Sequence, residues 1–140
     1  MSLISVLGSP TVLRRVLWTD AASGAATGAL QLAVPGVLSA WLGLPAAWIT
    51  ASGALIFAFV ALAVYLTTRA AVPRSGLWLL VLGNAAWVVG CLELAFAGPA
   101  TLTAWGQAYL LVQAVAVAVL AELQWMGLRR ASRSVELGLS

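Results

Sequence analysis

Four runs of mainly apolar residues, each about as long as a membrane-spanning helix, occupy most of this sequence. A helix needs about 20 apolar residues to cross the hydrocarbon core of a bilayer. The runs lie at about residues 16–34, 46–68, 77–97 and 103–128. Proline and glycine break the chain between them, at positions 35–36, 45, 73 and 98–99. We therefore predict an all-α, four-transmembrane-helix bundle, built as a single transmembrane domain over residues 1–140.

The scarcity of charged residues supports this prediction. Charged residues make up 8% of the chain and apolar residues 63%, whereas a soluble domain carries about 25% charged residues. So few charges cannot cover a water-facing surface, so the natural solvent of the chain is lipid. We expect a multi-pass integral membrane protein whose first partner is the lipid bilayer.

The positions of the basic residues predict the orientation of the chain. All seven are arginines at the ends of apolar runs. They are Arg14, Arg15, Arg69, Arg74, Arg129, Arg130 and Arg133. Four spans place every one of them, and both termini, on one side, which the positive-inside rule makes cytoplasmic. Arginines placed in this way are orientation signals rather than a nucleic-acid-binding stripe, so we expect no nucleic-acid partner.

Three segments outside the spans have sequence features that predict their local structure. Residues 35–45 are apolar and uncharged, which predicts a short interfacial helix with Trp41 at the level of the headgroups. Ser9-Pro10 supplies an N-cap serine and a first-turn proline for the first long helix. Residues 131–140 are expected to form a cytoplasmic tail that is frayed or loosely held at the interface.

The residue types that are missing exclude several kinds of chemistry. There is no histidine, and Cys91 is the single cysteine. An intrachain disulfide, a thiolate metal cluster, a common zinc site and Ser-His-Asp catalysis are therefore excluded. We predict no cofactor, no metal and no catalytic residue.

Polar residues inside the spans are the candidate site residues, because lipid offers them no water. Asp20 and Glu122 lie near the inner interface, with Asn84 somewhat deeper, and we predict that these three form one polar cluster. Gln31 and Glu93 lie near the outer interface and are predicted to form a second cluster. Structural pairing and a functional role both remain open for these carboxylates.

Small residues predict where helices approach closely. Gly24 and Gly28 form a G-x-x-x-G pattern on the first span, on the same face as Asp20 and Gln31. Gly83 and Gly90 belong to a similar stripe on the third span. The contacts made through these glycines are either intramolecular or part of a homo-oligomer interface.

Four segments of the chain carry a resemblance to known proteins: LRRVLWTD at 13–20, ASGAATG at 22–28, GNAAW at 83–87 and AELQWMGLRR at 121–130. With these segments the chain resembles a family of small bacterial four-helix inner-membrane proteins. The resemblance covers most of the chain and implies four spans in a bacterial inner membrane. It implies no activity and no catalytic residue, but it includes Asp20, Asn84 and Glu122.

The leading functional hypothesis is a non-enzymatic membrane protein that binds a partner membrane protein, a second copy of itself, or a lipid or other apolar ligand. The alternative is a transporter of a small solute, or a proton-coupled one, that acts as an oligomer and uses Glu93 on one side and Asp20 with Glu122 on the other. An intramembrane enzyme is a third hypothesis, and it requires two of these carboxylates to converge on one pocket.

Overall fold

The computed structural model describes residues 3–138, apart from the side chains of residues 4, 5, 134 and 135. Within this range all regular structure is helical, which confirms the predicted all-α class. The helices are α1 (Leu3–Leu7), α2 (Pro10–Ala33), α3 (Pro35–Leu42), α4 (Ala46–Thr67), α5 (Arg74–Ala97) and α6 (Ala104–Glu136).

Three helices, α4, α5 and α6, are each long and apolar enough to cross a membrane. The helix α2 meets the same criterion only together with α3, from which it is separated by a bend of 94°. Its lower apolar content follows from Asp20, Thr27 and Gln31 within the predicted first span. The chain is therefore a multi-pass membrane protein with three spanning helices, or four when the bent pair is one span.

Both ends of α2 follow from local chemistry. The hydroxyl of Ser9 accepts a hydrogen bond from the backbone N–H of Val12 at 3.3 Å, and Pro10 occupies the first turn. This is the predicted N-cap, which satisfies one of the free N–H groups of the first turn. Pro35 has no N–H to continue the helix, so α2 ends before it and α3 begins in a new direction.

The end of α3 is joined to the start of α6 by backbone polar groups. Gly43 ends α3 with φ of +73°, and a Cβ there would overlap the carbonyl oxygen of Thr101. The Thr101 hydroxyl donates to the Gly43 carbonyl at 2.8 Å. Thr103 donates its N–H to Leu42 O at 3.1 Å and its hydroxyl to Trp41 O at 2.6 Å. These bonds satisfy carbonyls that a helix end leaves without partners, and they define what we call the α3 end of the bundle.

The opposite end, which we call the arginine end, is joined by arginine side chains. The guanidinium of Arg14 donates to three carbonyl oxygens at the end of α4, at distances of 2.6 to 2.8 Å. They belong to Thr67, Arg69 and Ala70. Arg74 at the start of α5 donates to the hydroxyl of Ser132 on α6 at 2.7 Å. The start of α2, the end of α4, the start of α5 and the last part of α6 therefore lie together.

The helices pack most closely as two pairs, α2 with α4 and α5 with α6. The pairs meet through two clusters of buried apolar residues. The arginine-end cluster is Leu13, Leu17, Ala21, Ala63, Leu66, Leu77, Leu80 and Leu128. The α3-end cluster is Leu42, Leu44, Ile49, Cys91, Ala95, Leu110 and Ala114. Each cluster draws residues from both pairs, so each holds the pairs together at one end.

Tryptophan side chains lie at both ends of the bundle. Trp78 and Trp125 make an edge-to-face contact with ring centroids 5.1 Å apart, close to the arginine-end cluster. At the α3 end, Trp41 and Trp105 lie 6.5 Å apart. Indole rings favour the headgroup region of a bilayer, so both ends of the bundle carry side chains suited to that region.

The last helix is longer than its predicted span. It continues to Glu136, so residues 131–136 are helical rather than frayed. The hydroxyl of Ser132 both accepts from Arg74 and donates to the Leu128 carbonyl at 3.1 Å, which ties this turn to α5. The rest of the predicted tail is Leu137 and Gly138, which follow the helix, and residues 139–140, which lie outside the described residues.

Candidate functional site

A cavity of about 620 Å³ lies between the two helix pairs. It is lined by residues of α2, α4, α5 and α6, mainly apolar ones, with Leu42 and Leu44 at the α3 end. Pockets for small ligands typically measure about 300–1,000 Å³ and are apolar with a few well-placed polar groups. The volume of this cavity lies in that range, and its lining is mainly apolar with a few polar side chains, so it is the candidate functional site.

The predicted packing glycines fall into two groups. Gly24 and Gly28 bring α2 against α4, since a Cβ would lie 2.9 Å from Val60 Cγ2 at the first and 3.0 Å from the Phe57 ring at the second. In the described chain this G-x-x-x-G pattern therefore serves intramolecular packing. Its close approach leaves no room for a larger side chain on that face of α2.

On α5 the two predicted glycines differ from each other. A Cβ at Gly83 would overlap the ring of Phe59 on α4, so this glycine makes room for an aromatic ring. A Cβ at Gly90 would have no atom within 4 Å, and Gly90 lines the cavity. The structure thus places Gly90 beside open space rather than in a helix contact.

A polar cluster lies on the arginine-end side of the cavity, and it includes two of the three residues predicted there. Asp20 Oδ2 accepts a hydrogen bond from Asn84 Nδ2 at 3.2 Å and from Gln124 Nε2 at 2.6 Å. Asn84 Nδ2 also donates to Gln124 Oε1 at 2.9 Å. The exposed fractions of Asn84 and Gln124 are 8% and 0%, so both amides are buried.

Glu122, the third predicted member, does not join this cluster. Its side chain is exposed, and Gln124 occupies the inward position on α6 instead. Two residues along a helix of 3.6 residues per turn differ by about 200° in direction, so Glu122 and Gln124 face nearly opposite ways. Sequence reasoning chose the charged residue, although Gln124 lies on one face with Gln113, which does line the cavity.

A second polar cluster lies on the α3-end side. Gln31 Nε2 donates to the hydroxyl of Tyr109 at 2.8 Å, and the hydroxyl of Ser52 donates to Gln31 Oε1 at 2.6 Å. All three residues line the cavity. Glu93, the predicted partner of Gln31, is exposed and does not line the cavity. Sequence reasoning missed Ser52 and Tyr109 as partners, because a single serine or tyrosine in an apolar run has many other roles.

Between the two clusters the polar side chains of Trp87 and Gln113 line the wall. The indole nitrogen of Trp87 donates to Gln113 Oε1 at 3.0 Å, which joins α5 to α6. No buried side-chain nitrogen or oxygen lacks a partner among the described residues. The polar side chains of the cavity are therefore held by hydrogen bonds to one another or, for Ser23 and Thr27, to backbone carbonyls of α2.

The three carboxylates predicted within the membrane are not brought together. Asp20 lines the cavity, whereas Glu93 and Glu122 are exposed on α5 and α6. The convergence of two carboxylates that an intramembrane enzyme requires does not occur among them. Within residues 3–138, no three histidine, cysteine, aspartate or glutamate side chains form a metal-binding group.

Comparison of the chain with protein-family models, with curated proteins and with solved structures found no match.

Proposed function

We propose that this chain is a four-span protein of the bacterial inner membrane, with both termini in the cytoplasm, that binds a small apolar molecule in its central cavity. In this proposal α2 and α3 form one span and its interfacial extension. The protein performs no chemistry on its ligand. The single observation that carries the proposal is the cavity of about 620 Å³, which has contributions from all four long helices.

The proposed orientation is supported by the two ends of the bundle. Arg14 and Arg74 make their contacts at one end, whereas the α3 end carries no arginine in its connectors. Arginine-rich loops favour the cytoplasmic side. Reporter fusions after residue 72 and after residue 100 test this: the first is expected inside and the second outside. A fusion after residue 72 that reports an outside position would contradict four spans.

Binding of an apolar ligand is favoured over binding of a partner helix. Gly24 and Gly28, the best candidates for a helix-docking face, are already covered by α4. The cavity, in contrast, is lined by apolar groups with space between them. A space of this size without an occupant would leave its lining without contact partners, so an apolar molecule that fills it gains contacts.

The experiment uses two glycine-to-leucine variants as a matched pair. Gly90→Leu places a side chain into the cavity, and Gly36→Leu adds the same side chain on α3, outside the cavity, where a Cβ also has no atom within 4 Å. Protein purified in lipid nanodiscs is analysed by native mass spectrometry and by extraction of bound small molecules. We expect a bound apolar molecule in the wild type and in Gly36→Leu, and its loss in Gly90→Leu.

Two results would contradict the proposal. One is a wild-type protein that carries no small molecule and gains no thermal stability from any apolar compound added to it. The other is a bound molecule that persists unchanged in Gly90→Leu, which would place it outside the cavity.

A further inference from the structure

One carboxyl group faces the cavity. Among the described residues that line it, Asp20 is the single aspartate, glutamate, lysine or arginine, and the remaining lining is apolar or neutral. At the α3 end, the neutral side chain of Gln31 is hydrogen-bonded to the hydroxyls of Ser52 and Tyr109. The two ends of the cavity therefore differ, with a carboxylate at the arginine end and neutral groups at the other.

Among the described residues, the Asp20 carboxylate has hydrogen-bond donors but no counter-ion. Its donors are the neutral amides of Asn84 and Gln124. Arg14, on the same helix, instead donates to backbone carbonyls at the end of α4. In the part of the chain that the structure describes, no arginine pairs with Asp20. A carboxylate removed from water without an opposite charge is costly, so a positive group inside the cavity would be stabilised.

The apolar walls suit a cation as well. Phe59, Trp87 and Tyr109 line the cavity, and aromatic faces attract positive charge. The Trp87 ring is held in place by its hydrogen bond to Gln113. A body of hydrocarbon or aromatic groups would fill the remaining space, where apolar lining predominates.

We propose that the cavity binds a lipophilic cation, that is, an apolar molecule carrying one protonated amine or quaternary onium group, with its charge paired to Asp20. This inference rests on the proposed function and names the chemical class of its ligand. Asn84 and Gln124 act as positioning residues, because they hold Asp20 Oδ2 from two helices and direct the carboxylate toward the cavity. Glu93 and Glu122 take no part, since both lie outside the cavity.

The test compares three probes of nearly equal shape: tetraphenylphosphonium, which is cationic, tetraphenylmethane, which is neutral, and tetraphenylborate, which is anionic. Binding is measured by equilibrium dialysis against protein in phosphatidylcholine nanodiscs, after subtraction of partitioning into empty nanodiscs. The variants are Asp20→Asn and, as the matched carboxylate-to-amide control at the same end of the bundle, Glu122→Gln. Folding of each variant is checked by its helical circular dichroism and its elution as a single species.

We expect the wild type and Glu122→Gln to bind the phosphonium more tightly than the neutral probe, and the borate least. The Coulomb attraction between the carboxylate and the phosphonium is lost in Asp20→Asn, which should weaken phosphonium binding by about ten- to a hundredfold, with neutral-probe binding unchanged. If Asp20→Asn does not fold, the order of the three affinities for the wild type alone decides whether the cavity prefers a cation.

Equal binding of the three probes to the wild type would overturn the assignment of a cation while leaving the cavity as a ligand site. The absence of binding by all three, together with Gly90→Leu behaving as the wild type in the analysis of bound molecules, would overturn the proposed function as well.

Discussion

Removal of either amide beside Asp20 is expected to destabilise the fold in a coupled manner. Asn84→Ala removes the bonds to Asp20 Oδ2 and to Gln124 Oε1, and it leaves the latter oxygen without its donor in a side chain that is 0% exposed. A buried polar group without a partner costs about 1–3 kcal/mol. We therefore expect Asn84→Ala to lower the free energy of unfolding by about that amount.

Gln124→Ala should cost at least as much. It removes the 2.6 Å bond to the carboxylate and the same 2.9 Å bond to Asn84, and a hydrogen bond to a charged group contributes about 1.5–3 kcal/mol. In the double variant the shared bond is lost only once, and no amide oxygen is left unpaired. The double variant should therefore lose less free energy of unfolding than the two single variants lose in sum. The difference should be about 0.6 to 1.7 kcal/mol, from the average to the maximum found for hydrogen bonds between membrane helices.

The measurement is reversible unfolding in mixed micelles by sodium dodecyl sulfate, followed by tryptophan fluorescence. The control cycle combines Asn84→Ala with Ser52→Ala, since Ser52 bonds Gln31 in the other polar cluster. That control pair should be additive within about 0.5 kcal/mol. Strict additivity of Asn84→Ala and Gln124→Ala would refute the network described here.

Three further predictions, one of them with a control substitution, test other parts of the fold by the same unfolding assay. Gly43→Ala should cost about 2 kcal/mol or more, because an L-residue at positive φ is strained and the new methyl meets the Thr101 carbonyl, whereas equal stability would contradict the described turn. Leu17→Ala, at a fully buried position, should cost about 2–5 kcal/mol. Leu79→Ala, at a position that is 56% exposed, is the control and should cost less. An equal loss of stability in the two variants would mean that burial of the leucine does not determine the cost. Arg14→Ala should cost about 1 kcal/mol through loss of its three carbonyl bonds, and an unchanged midpoint would show that those bonds do not contribute.

Helix ends were the features most accessible from sequence, because the chemistry that sets them acts within one turn. Ser9-Pro10 begins α2 and Pro35 ends it, and both effects depend on neighbouring residues only. The grouping of arginines at run ends likewise predicted which helix ends lie together. The bonds of Arg14 and Arg74 now show those ends in contact.

The inward face of each helix was much less accessible. In a membrane protein, lipid is as apolar as the interior, so hydrophobic periodicity does not distinguish the lipid-facing side of a helix from its inward-facing side. On α6 the charged residue Glu122 was predicted to join Asp20, whereas Gln124 is the residue that bonds it. The meeting of Asp20 with Asn84, by contrast, could be predicted, because the similar depth of the two residues limits their partners.

The cavity could not be predicted from the sequence at all. Its volume depends on the separation of two helix pairs, which is set by contacts at both ends of the bundle rather than by the residues that line it. Gly90 shows the difficulty, because its neighbours in sequence resemble those of Gly83. One glycine meets an aromatic ring and the other meets empty space.

The position of the two apolar clusters determines how a molecule reaches the space between them. Both ends of the bundle are closed by buried apolar clusters that contain several leucines. In contrast, Leu55, Ala86 and Ala116 line the cavity and are exposed on the outer surface of the helices. For the ligand that we propose, we therefore expect entry sideways through the bilayer rather than along the membrane normal. Occupancy of the proposed site should then depend on how much of a compound is dissolved in the acyl chains, so two compounds with equal intrinsic fit but different oil–water partitioning should fill the protein to different extents.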